Sequence, residues 1–306
     1  SSASSVFNNL ATATFNIQND NVFYYGTFNN AGTVRKSSGT GTTTFYGVTF
    51  NNTGTVEVQS GTLSLAGGGT SSGAFSGLAG TTLNFSGGTH TLSNASGISS
   101  AGTVSFGGAT VTHAGTYNVT GSTSVSGGTA TLSGTVPSLG SSMTISGGTI
   151  NFNNPDPVTI GTLTLSGGTL GGTANVTVNG LLTWSGGTMS GTGKTTANGG
   201  MTISGYTNIG RTIDNAGVAT WTTGSGYIYS SSAGSVFNNL ATATFNIQND
   251  NSFTGYPGTF NNAGTVRKSA GTGTTTFGSF GFNNTGTVEV QSGTLSLAGG
   301  GTSSGA

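Results

Sequence analysis

Acidic residues and histidines are the side chains that could do chemistry in this 306-residue chain. The acids are Asp20, Glu57, Asp156, Asp214, Asp250 and Glu289. Carboxylate catalysis requires two such groups within about 5–10 Å, and most of these acids lie far apart along the sequence. His90 and His113 lie close enough in sequence to become neighbours, but two histidines without a third ligand make a weak metal site. The sequence therefore predicts no catalytic residue, no metal site and no cofactor, and a protein that is not an enzyme.

The charge balance excludes several partner classes. Six basic and six acidic residues give a formal net charge of +0, and charged residues make up 4% of the chain, against about 25% in typical domains. The largest basic clusters are the pairs Arg35-Lys36 and Arg267-Lys268, whereas nucleic-acid binding requires several phosphate contacts. No apolar run approaches the roughly 20 residues of a membrane span. The chain has no cysteine, which excludes a disulfide scaffold and thiolate metal sites.

Composition alone leaves two interpretations open. Glycine accounts for 58 residues, and Ser, Thr and Asn fill much of the remainder. A flexible Gly/Ser-rich linker and a repetitive β structure with small turns share this composition. The order of the residues decides between them.

A long repeat is plain in the sequence. Residues 1–74 recur as residues 231–306, and Phe50 to Ala74 returns unchanged as Phe282 to Ala306. We therefore expect the chain to begin and end inside a unit of about 230 residues within a longer tandem array. The copies differ in length or sequence at 21–26 against 251–258 and at 46–49 against 278–281. Because exposed loops tolerate such changes, these segments are predicted loops.

A short repeat lies inside the long one. Ser-Gly-Gly-Thr recurs about every 20 residues from Ser86 to Thr188, and Phe-Asn-Asn recurs at intervals of about 21 to 23 residues. The Phe-Asn-Asn motifs begin at Phe7, Phe28, Phe50, Phe237, Phe260 and Phe282. These markers divide one continuous segment, 1–306, into a Phe-Asn-Asn block at 1–75, a Ser-Gly-Gly-Thr block at 76–205 and a second Phe-Asn-Asn block at 206–306. A flexible linker needs no such registration, so the disordered interpretation is rejected.

Each short repeat contains an alternation of apolar and polar residues that is typical of a β-strand. One apolar column comprises Leu83, Val104, Thr123, Met143, Leu163, Leu182 and Met201, and the next comprises Phe85, Phe106, Val125, Ile145, Leu165, Trp184 and Ile203. A coil of about 20–23 residues without a helix cannot bury its apolar face alone, but stacked coils can. The sequence predicts an all-β, right-handed, single-stranded parallel β-helix. An antiparallel sandwich is the alternative, although it need not keep fixed columns.

Alignment of the Phe-Asn-Asn repeats predicts an ion pair in each copy. Arg35 aligns with Glu57, and Arg267 aligns with Glu289, one coil apart. Exposed pairs of this kind contribute little to stability, so they set register more than they stabilise. The same alignment places Lys36 at an inward position, unless the chain turns outward there.

The Phe-Asn-Asn columns favour a structural role over sugar binding. Stacked phenylalanines would fill a corner of the core, and stacked asparagine amides could hydrogen-bond from coil to coil.

Exposed aromatic residues and threonines suggest possible contact surfaces. Tyr24, Tyr25, Tyr46, Tyr256 and Phe280 lie in the predicted loops, where they could stack on sugars or on a neighbouring molecule, or simply cover the core. Thr-x-Thr pairs begin at Thr89, Thr110 and Thr129 and could order water on an ice-binding face, but the pattern decays beyond them.

The repeated Ser-Gly-Gly-Thr units, Gly-Thr-Leu-Thr-Leu at Gly161–Leu165 and Gly-Thr-Leu-Ser-Leu at Gly61–Leu65 and Gly293–Leu297 resemble those of bacterial secreted β-strand-repeat proteins. These include giant surface adhesins, autotransporter passengers and filamentous-haemagglutinin-like exoproteins. The resemblance implies a right-handed β-helix exported to the bacterial cell surface, for adhesion, biofilm matrix or surface fibres. It brings no defined site residues.

We therefore expect a structural module of a long extracellular repeat protein that forms a stiff rod or filament. Its expected partner is itself, through axial continuation, end-to-end stacking or lateral packing, with surface glycans as a further partner. The alternatives are an adhesin that binds a glycan through exposed aromatic loops and an ice-binding threonine ladder.

Overall fold

The computed structural model describes residues 5–222, 224 and 226–306. The described chain is all-β, and its parallel strands stack as a β-solenoid of about 14 turns. The chain divides into two compact units, residues 1–158 (unit 1) and residues 159–306 (unit 2). The fold class predicted from the sequence is confirmed.

Most strands of unit 1 are four residues long, as the short repeat requires. They are β1 (Val6–Asn9), β2 (Thr14–Ile17), β3 (Val22–Asn30), β4 (Thr33–Lys36), β5 (Thr42–Asn52), β6 (Thr55–Val58), β7 (Thr62–Leu65), β8 (Gly69–Ser71), β9 (Ala74–Gly77), β10 (Thr82–Phe85), β11 (Thr89–Leu92), β12 (Gly97–Ser100), β13 (Thr103–Phe106), β14 (Thr110–His113), β15 (Thr116–Val119), β16 (Ser122–Val125), β17 (Thr129–Leu132), β18 (Ser138–Leu139), β19 (Ser142–Ile145) and β20 (Thr149–Phe152).

The remaining strands, from Val158 onward, follow the same pattern. They are β21 (Val158–Ile160), β22 (Thr162–Leu165), β23 (Thr169–Gly172), β24 (Val176–Val178), β25 (Leu182–Trp184), β26 (Thr188–Ala197), β27 (Met201–Ile203), β28 (Thr207–Asn215), β29 (Val218–Trp221), β30 (Ile228–Ser230), β31 (Ser235–Asn239), β32 (Thr244–Ile247), β33 (Ser252–Gly255), β34 (Gly258–Asn262), β35 (Thr265–Lys268), β36 (Thr274–Phe277), β37 (Phe280–Asn284), β38 (Thr287–Val290) and β39 (Thr294–Ser296).

Each strand pairs in parallel with its equivalent one coil away. In unit 1, β10 pairs with β13 so that Leu83 meets Val104 and Phe85 meets Phe106. The register continues from β13 to β16 and from β16 to β19. In unit 2, β22 pairs with β25 and β25 with β27 in the same manner. The apolar columns predicted from the sequence are therefore real columns within each unit.

The inward side chains form the core, and one residue in these columns, Thr123, is polar. Thr123 is buried in the column that otherwise holds Val104 and Met143. Its hydroxyl lies 2.9 Å from the buried Tyr117 hydroxyl and donates to the Leu139 carbonyl at 2.7 Å. Burial raises the pKa of Tyr117 above its usual range, so the phenol stays protonated. A polar residue is tolerated here because its hydrogen bonds are satisfied inside the core.

The second glycine of the Ser-Gly-Gly-Thr motif makes the turn. Gly88 has φ +74°, in the left-handed region, and a Cβ placed on it would lie 2.4 Å from the backbone nitrogen of Gly68. The first glycine, Gly87, has an ordinary φ, and its nearest contact would be 3.2 Å from the Ala66 carbonyl oxygen. The glycine is thus required both by backbone conformation and by the close approach of the neighbouring coil.

The predicted loops at 21–26 and 46–49 are largely strand in unit 1, so that prediction is wrong there. β3 runs through Val22 to Gly26, and β5 runs through Tyr46 to Thr49. Positive φ angles at Gly26 and Gly47 let both strands turn a corner without losing their pairing. Length varies at this corner because it faces outward, while the coil-to-coil register is kept on both sides.

Replacing Gly88 with valine should lower the free energy of unfolding by more than about 2 kcal/mol, since both the left-handed φ and the backbone contact are violated. Gly97→Ala is the control, because Gly97 has an ordinary φ and nothing lies within 4 Å of its added Cβ. Urea unfolding of both variants tests this, and equal stability of Gly88→Val and the parent chain would refute the turn assignment.

Candidate functional site

The Phe-Asn-Asn motif builds a continuous corner in each unit. In unit 1 the rings of Phe28 and Phe50 stack with centroids 5.4 Å apart and an interplanar angle of 13°. In unit 2 Phe237 stacks on Phe260 at 5.1 Å, and Phe260 stacks on Phe282 at 5.4 Å. Like rings meet because the register places each motif directly above its equivalent.

The second asparagine of each motif forms a buried ladder along the stacking direction. In unit 1 the Nδ2 of Asn9 donates to Asn30, Asn30 donates to Asn52, and Asn52 donates to the Ser71 hydroxyl, at 2.8, 2.8 and 3.3 Å. In unit 2 the ladder begins at Asn215, which holds the equivalent position in Ile213-Asp214-Asn215, and runs through Asn239, Asn262 and Asn284 to Ser303. An amide carries both a donor and an acceptor, so identical side chains can satisfy one another indefinitely.

The first asparagine of each motif forms an outer ladder whose donors point the opposite way, toward earlier residues. Asn51 donates to Asn29, and Asn29 donates to Asn8. In unit 2 Asn283 donates to Asn261 and Asn261 donates to Asn238.

In unit 2 the outer ladder ends on a carboxylate. Asn238 donates to Asp214 Oδ1 at 2.7 Å, and Lys194 Nζ lies 2.8 Å from Asp214 Oδ2. Asp214 is buried, and its carboxylate is satisfied by one amide and one ammonium partner. Sequence reasoning missed this pair because the two residues lie in different motifs.

The residues predicted to form inter-coil ion pairs lie opposite each other. Arg35 pairs in register with Glu57, and its Nε is 2.6 Å from Glu57 Oε2. Arg267 and Glu289 repeat this arrangement at 2.7 Å. The hydrogen bond to Glu57 raises the pKa of Arg35. Both pairs are partly exposed, so they help to fix the register of adjacent coils and contribute little to stability.

Lys36 is a buried lysine at the inward position that the alignment gives it, and the chain does not turn outward there. Its side chain is 0% exposed. The ammonium donates to the Asp20 carboxylate at 2.7 Å, the Ser38 carbonyl at 3.1 Å and the Asn19 carbonyl at 3.2 Å. The Lys36 side chain can point inward because these three acceptors surround its ammonium group.

The same cage recurs around Lys268 in unit 2. Its Nζ donates to Asp250 Oδ1, to the carbonyls of Asn249 and Ala270, and to the hydroxyl of Thr275, at 2.7 to 3.1 Å. In unit 1 the carboxylate of Asp20 also accepts the Gly41 amide at 3.0 Å. The Lys36 hydrogen bond, followed by that of Gly41, lowers the pKa of Asp20. Each ammonium thus ties its own strand to the segment that precedes it by one coil, Asn19–Asp20 in unit 1 and Asn249–Asp250 in unit 2.

Lys36→Met should destabilise the chain by about 2 kcal/mol or more, because buried carbonyl oxygens lose their donor. The matched control is Arg35→Met, which removes the neighbouring exposed cation and should change stability little. Urea unfolding of both variants gives the comparison. The cage has no stabilising role if Lys36→Met is as stable as Arg35→Met.

His90 and His113 are both buried in unit 1, and they are not register partners, because His90 lies opposite Val111 and His113 lies opposite Leu92. The Nε2 of His90 lies 3.1 Å from the Gly87 carbonyl. The ring nitrogens of His113 make no hydrogen bond of normal length to the described residues. Burial lowers the pKa of His113 to about 4, and the nearby Ser96 backbone only partly offsets this effect. The ring of Tyr117 lies edge-on to that of His113 at 6.1 Å. His113 is therefore a neutral core residue at pH 7.

Stability should fall between pH 6.5 and pH 4 because of His113. The unfolded chain binds the proton near pH 6.5 and the folded chain only near pH 4, so the stabilisation is complete above pH 6.5 and is lost as the pH falls toward 4. The loss amounts to at most about 3 kcal/mol. Urea unfolding of the parent and of His113→Leu at several pH values measures it. The variant should show a shallower decline, and parallel curves would contradict this assignment.

Tyr24, Tyr25 and Tyr46 form an exposed aromatic cluster in unit 1. Each ring is more than half exposed. Tyr24 pairs in register with Tyr46, and the three ring centroids lie 6.0 to 6.3 Å apart. The structure thus brings together three of the residues predicted as contact surface.

The two contact residues predicted in unit 2 have different environments. Tyr256 is 56% exposed. Phe280 is buried, so its prediction as a surface residue is wrong. It lies opposite Gly258, and its ring occupies the space that a Cβ on Gly258 would need. Its centroid is 5.1 Å from that of Phe253, which makes it part of the core.

The Thr-x-Thr pairs form an outward ladder in unit 1. Thr89, Thr110, Thr129 and Thr149 share one column, and Thr91 and Thr112 continue in the other until Asn151 replaces threonine. The complete Thr-x-Thr pair is present on three coils, beginning at Thr89, Thr110 and Thr129, and is lost on the next coil, where Asn151 follows Thr131.

The part of the chain that the structure describes contains no group of three or more His, Cys, Asp or Glu side chains arranged to hold a metal. It also contains no helix long and apolar enough to span a membrane.

The register, the parallel pairing and the recurring motifs together define the chain as a β-solenoid repeat protein. No known protein family, no curated protein and no solved structure matches the chain.

Proposed function

We propose that the chain is a structural module of a long repeat protein, exported to a bacterial cell surface, in which stacked coils form a stiff rod or filament. The observation that carries this proposal is the duplication of whole coil-to-coil contact sets. The phenylalanine stack, both asparagine ladders, the Arg–Glu pair and the lysine cage occur in residues 1–74 and again in residues 231–306.

The duplicated contacts are the kind that a load-bearing array needs. They run from coil to coil along the stacking direction, so each added coil is held by backbone pairing, ring stacking and amide ladders at once. A catalytic protein would instead preserve one cluster of reactive side chains. Here the repeated residues are those that make contact with their own equivalents.

The proposed partner is the protein itself. A coil at the end of a solenoid presents an unpaired strand edge along the stacking axis, and such an edge can pair with a matching coil. The formal net charge of +0 also removes long-range repulsion between neighbouring molecules. We therefore propose axial continuation or end-to-end stacking as the main mode of assembly, with lateral packing as a second mode.

Tandem chains of one, two and three 230-residue units provide the test. Small-angle scattering and electron microscopy should show a particle that lengthens by about 50 Å for each added unit at constant width, given about 4.8 Å per coil. Units that fold back on one another would increase the width instead of the length. That result would contradict the proposed role as a rod.

A further inference from the structure

The two copies of the repeat differ almost entirely at one place. Outside residues 22–26 and 46–49 of the first copy, and 252–258 and 278–281 of the second, only Ser4 against Gly234 and Ser38 against Ala270 differ. We call these paired segments the variable corner. A scaffold that is otherwise copied residue by residue therefore carries a different surface at one corner.

The two variable segments of each copy are neighbours in the structure. In unit 1, Tyr24 pairs with Tyr46 and Gly26 with Val48 on adjacent coils. In unit 2, Gly258 pairs with Phe280 and Thr259 with Gly281. Segments that lie more than about 20 residues apart in sequence are thus neighbours on adjacent coils at one corner of each unit. Variation scattered by drift would not be expected to collect at a single corner.

The corner of unit 1 holds its aromatic rings at a cost in backbone strain. Tyr25 has φ +52°, the one positive φ of a non-glycine residue in the described chain. Its ring lies over Gly47, where a Cβ would come within 2.8 Å of it. A bulky residue in the left-handed region costs about 1–3 kcal/mol and is a reason to look for a function. The strain keeps Tyr25 at the surface beside Tyr24 and Tyr46.

In unit 2 the variable segments contain one tyrosine, Tyr256, and further tyrosines lie beside them on the preceding coils. Tyr206 and Tyr227 precede paired residues of adjacent coils, and their rings lie 4.7 Å apart in an edge-to-face arrangement. Tyr227 is 6.2 Å from Tyr229. Tyr229, Thr254, Gly255 and Tyr256 line an open groove of about 280 Å³. Exposed tyrosines thus lie in the corner of unit 1, and in or beside the corner of unit 2.

We infer that the variable corner is a binding surface for a neutral polysaccharide, and that its sequence differences give each repeat its own preference among such chains. This inference goes beyond the scaffold role proposed above, since a scaffold needs no such surface. Failure of the inference would leave the stacking of coils intact.

The chemistry of the corner selects this ligand class. Tyrosine offers an apolar ring face that packs against the C–H face of a sugar ring and a hydroxyl that bonds to sugar hydroxyls. None of the residues in the variable segments is charged, so the surface offers no ion pair to an acidic polysaccharide or a charged peptide. The open groove in unit 2 is near the small end of ligand pockets, which suits one ring of an extended chain.

Depletion binding of the 306-residue chain to amylose, curdlan, cellulose and mannan tests the proposal, with polygalacturonate as a charged comparison. We expect saturable binding to at least one neutral polysaccharide and none to polygalacturonate. The variant Tyr24→Ala/Tyr46→Ala/Tyr227→Ala/Tyr256→Ala should lose about tenfold or more in affinity, because exposed aromatic anchors carry most of such binding energy. The corresponding four tyrosine-to-phenylalanine changes keep the rings and should retain most of the affinity.

The control Leu78→Ala/Leu181→Ala removes two exposed apolar side chains outside the corner and should bind like the parent chain. The proposal is overturned if the parent chain binds none of the four neutral polysaccharides, or if the tyrosine-to-alanine variant binds as well as the parent. It is also overturned if the tyrosines govern only self-association in sedimentation velocity, which would make the corner a packing surface between copies.

Discussion

Parallel pairing of each coil with the next is the constraint on which the rest of the structure depends. It forces every inward side chain to lie against the residue at the same position one coil away, as Leu83 lies against Val104. Columns must therefore be filled by residues that pack well against their own kind. Apolar side chains satisfy this at once, whereas polar side chains satisfy it only if they can bond to copies of themselves or to nearby backbone.

The buried polar groups are satisfied in three different ways. Asparagine is self-complementary, so the ladder from Asn9 through Asn30 extends by simple repetition. An ammonium cannot donate to another ammonium, so Lys36 is instead surrounded by three acceptors, from Asn19, Asp20 and Ser38. Arg211 uses a third variant, in which the guanidinium donates to the carbonyls of Gly193 and Ala174. Burial lowers its pKa to about 10, so the group remains charged near neutral pH.

Sequence patterns predicted the features that depend on period and register. The strand columns and the opposition of Arg35 and Glu57 followed from alignment of the short repeats alone. The cage around Lys36 could not be predicted, because two of its acceptors are backbone carbonyls that have no sequence signature. Phe280 was misplaced because a difference between copies looked like an exposed loop, while the missing side chain of Gly258 makes room for the ring. The space available to a side chain, unlike the register of the strands, cannot be deduced from the repeat pattern.

Disulfide trapping tests the stacking of coils most directly, because the chain has no cysteine of its own. Ser105 and Ser124 face outward and are register partners on β13 and β16, and Thr144 follows one coil further on β19. Adjacent parallel strands bring Cα atoms within the 4.4–6.8 Å that a disulfide requires, and two coils do not. Ser105→Cys/Ser124→Cys should oxidise rapidly to an intramolecular disulfide, whereas Ser105→Cys/Thr144→Cys should remain reduced. Equal oxidation of the two pairs, or none in the first, would contradict the parallel in-register solenoid.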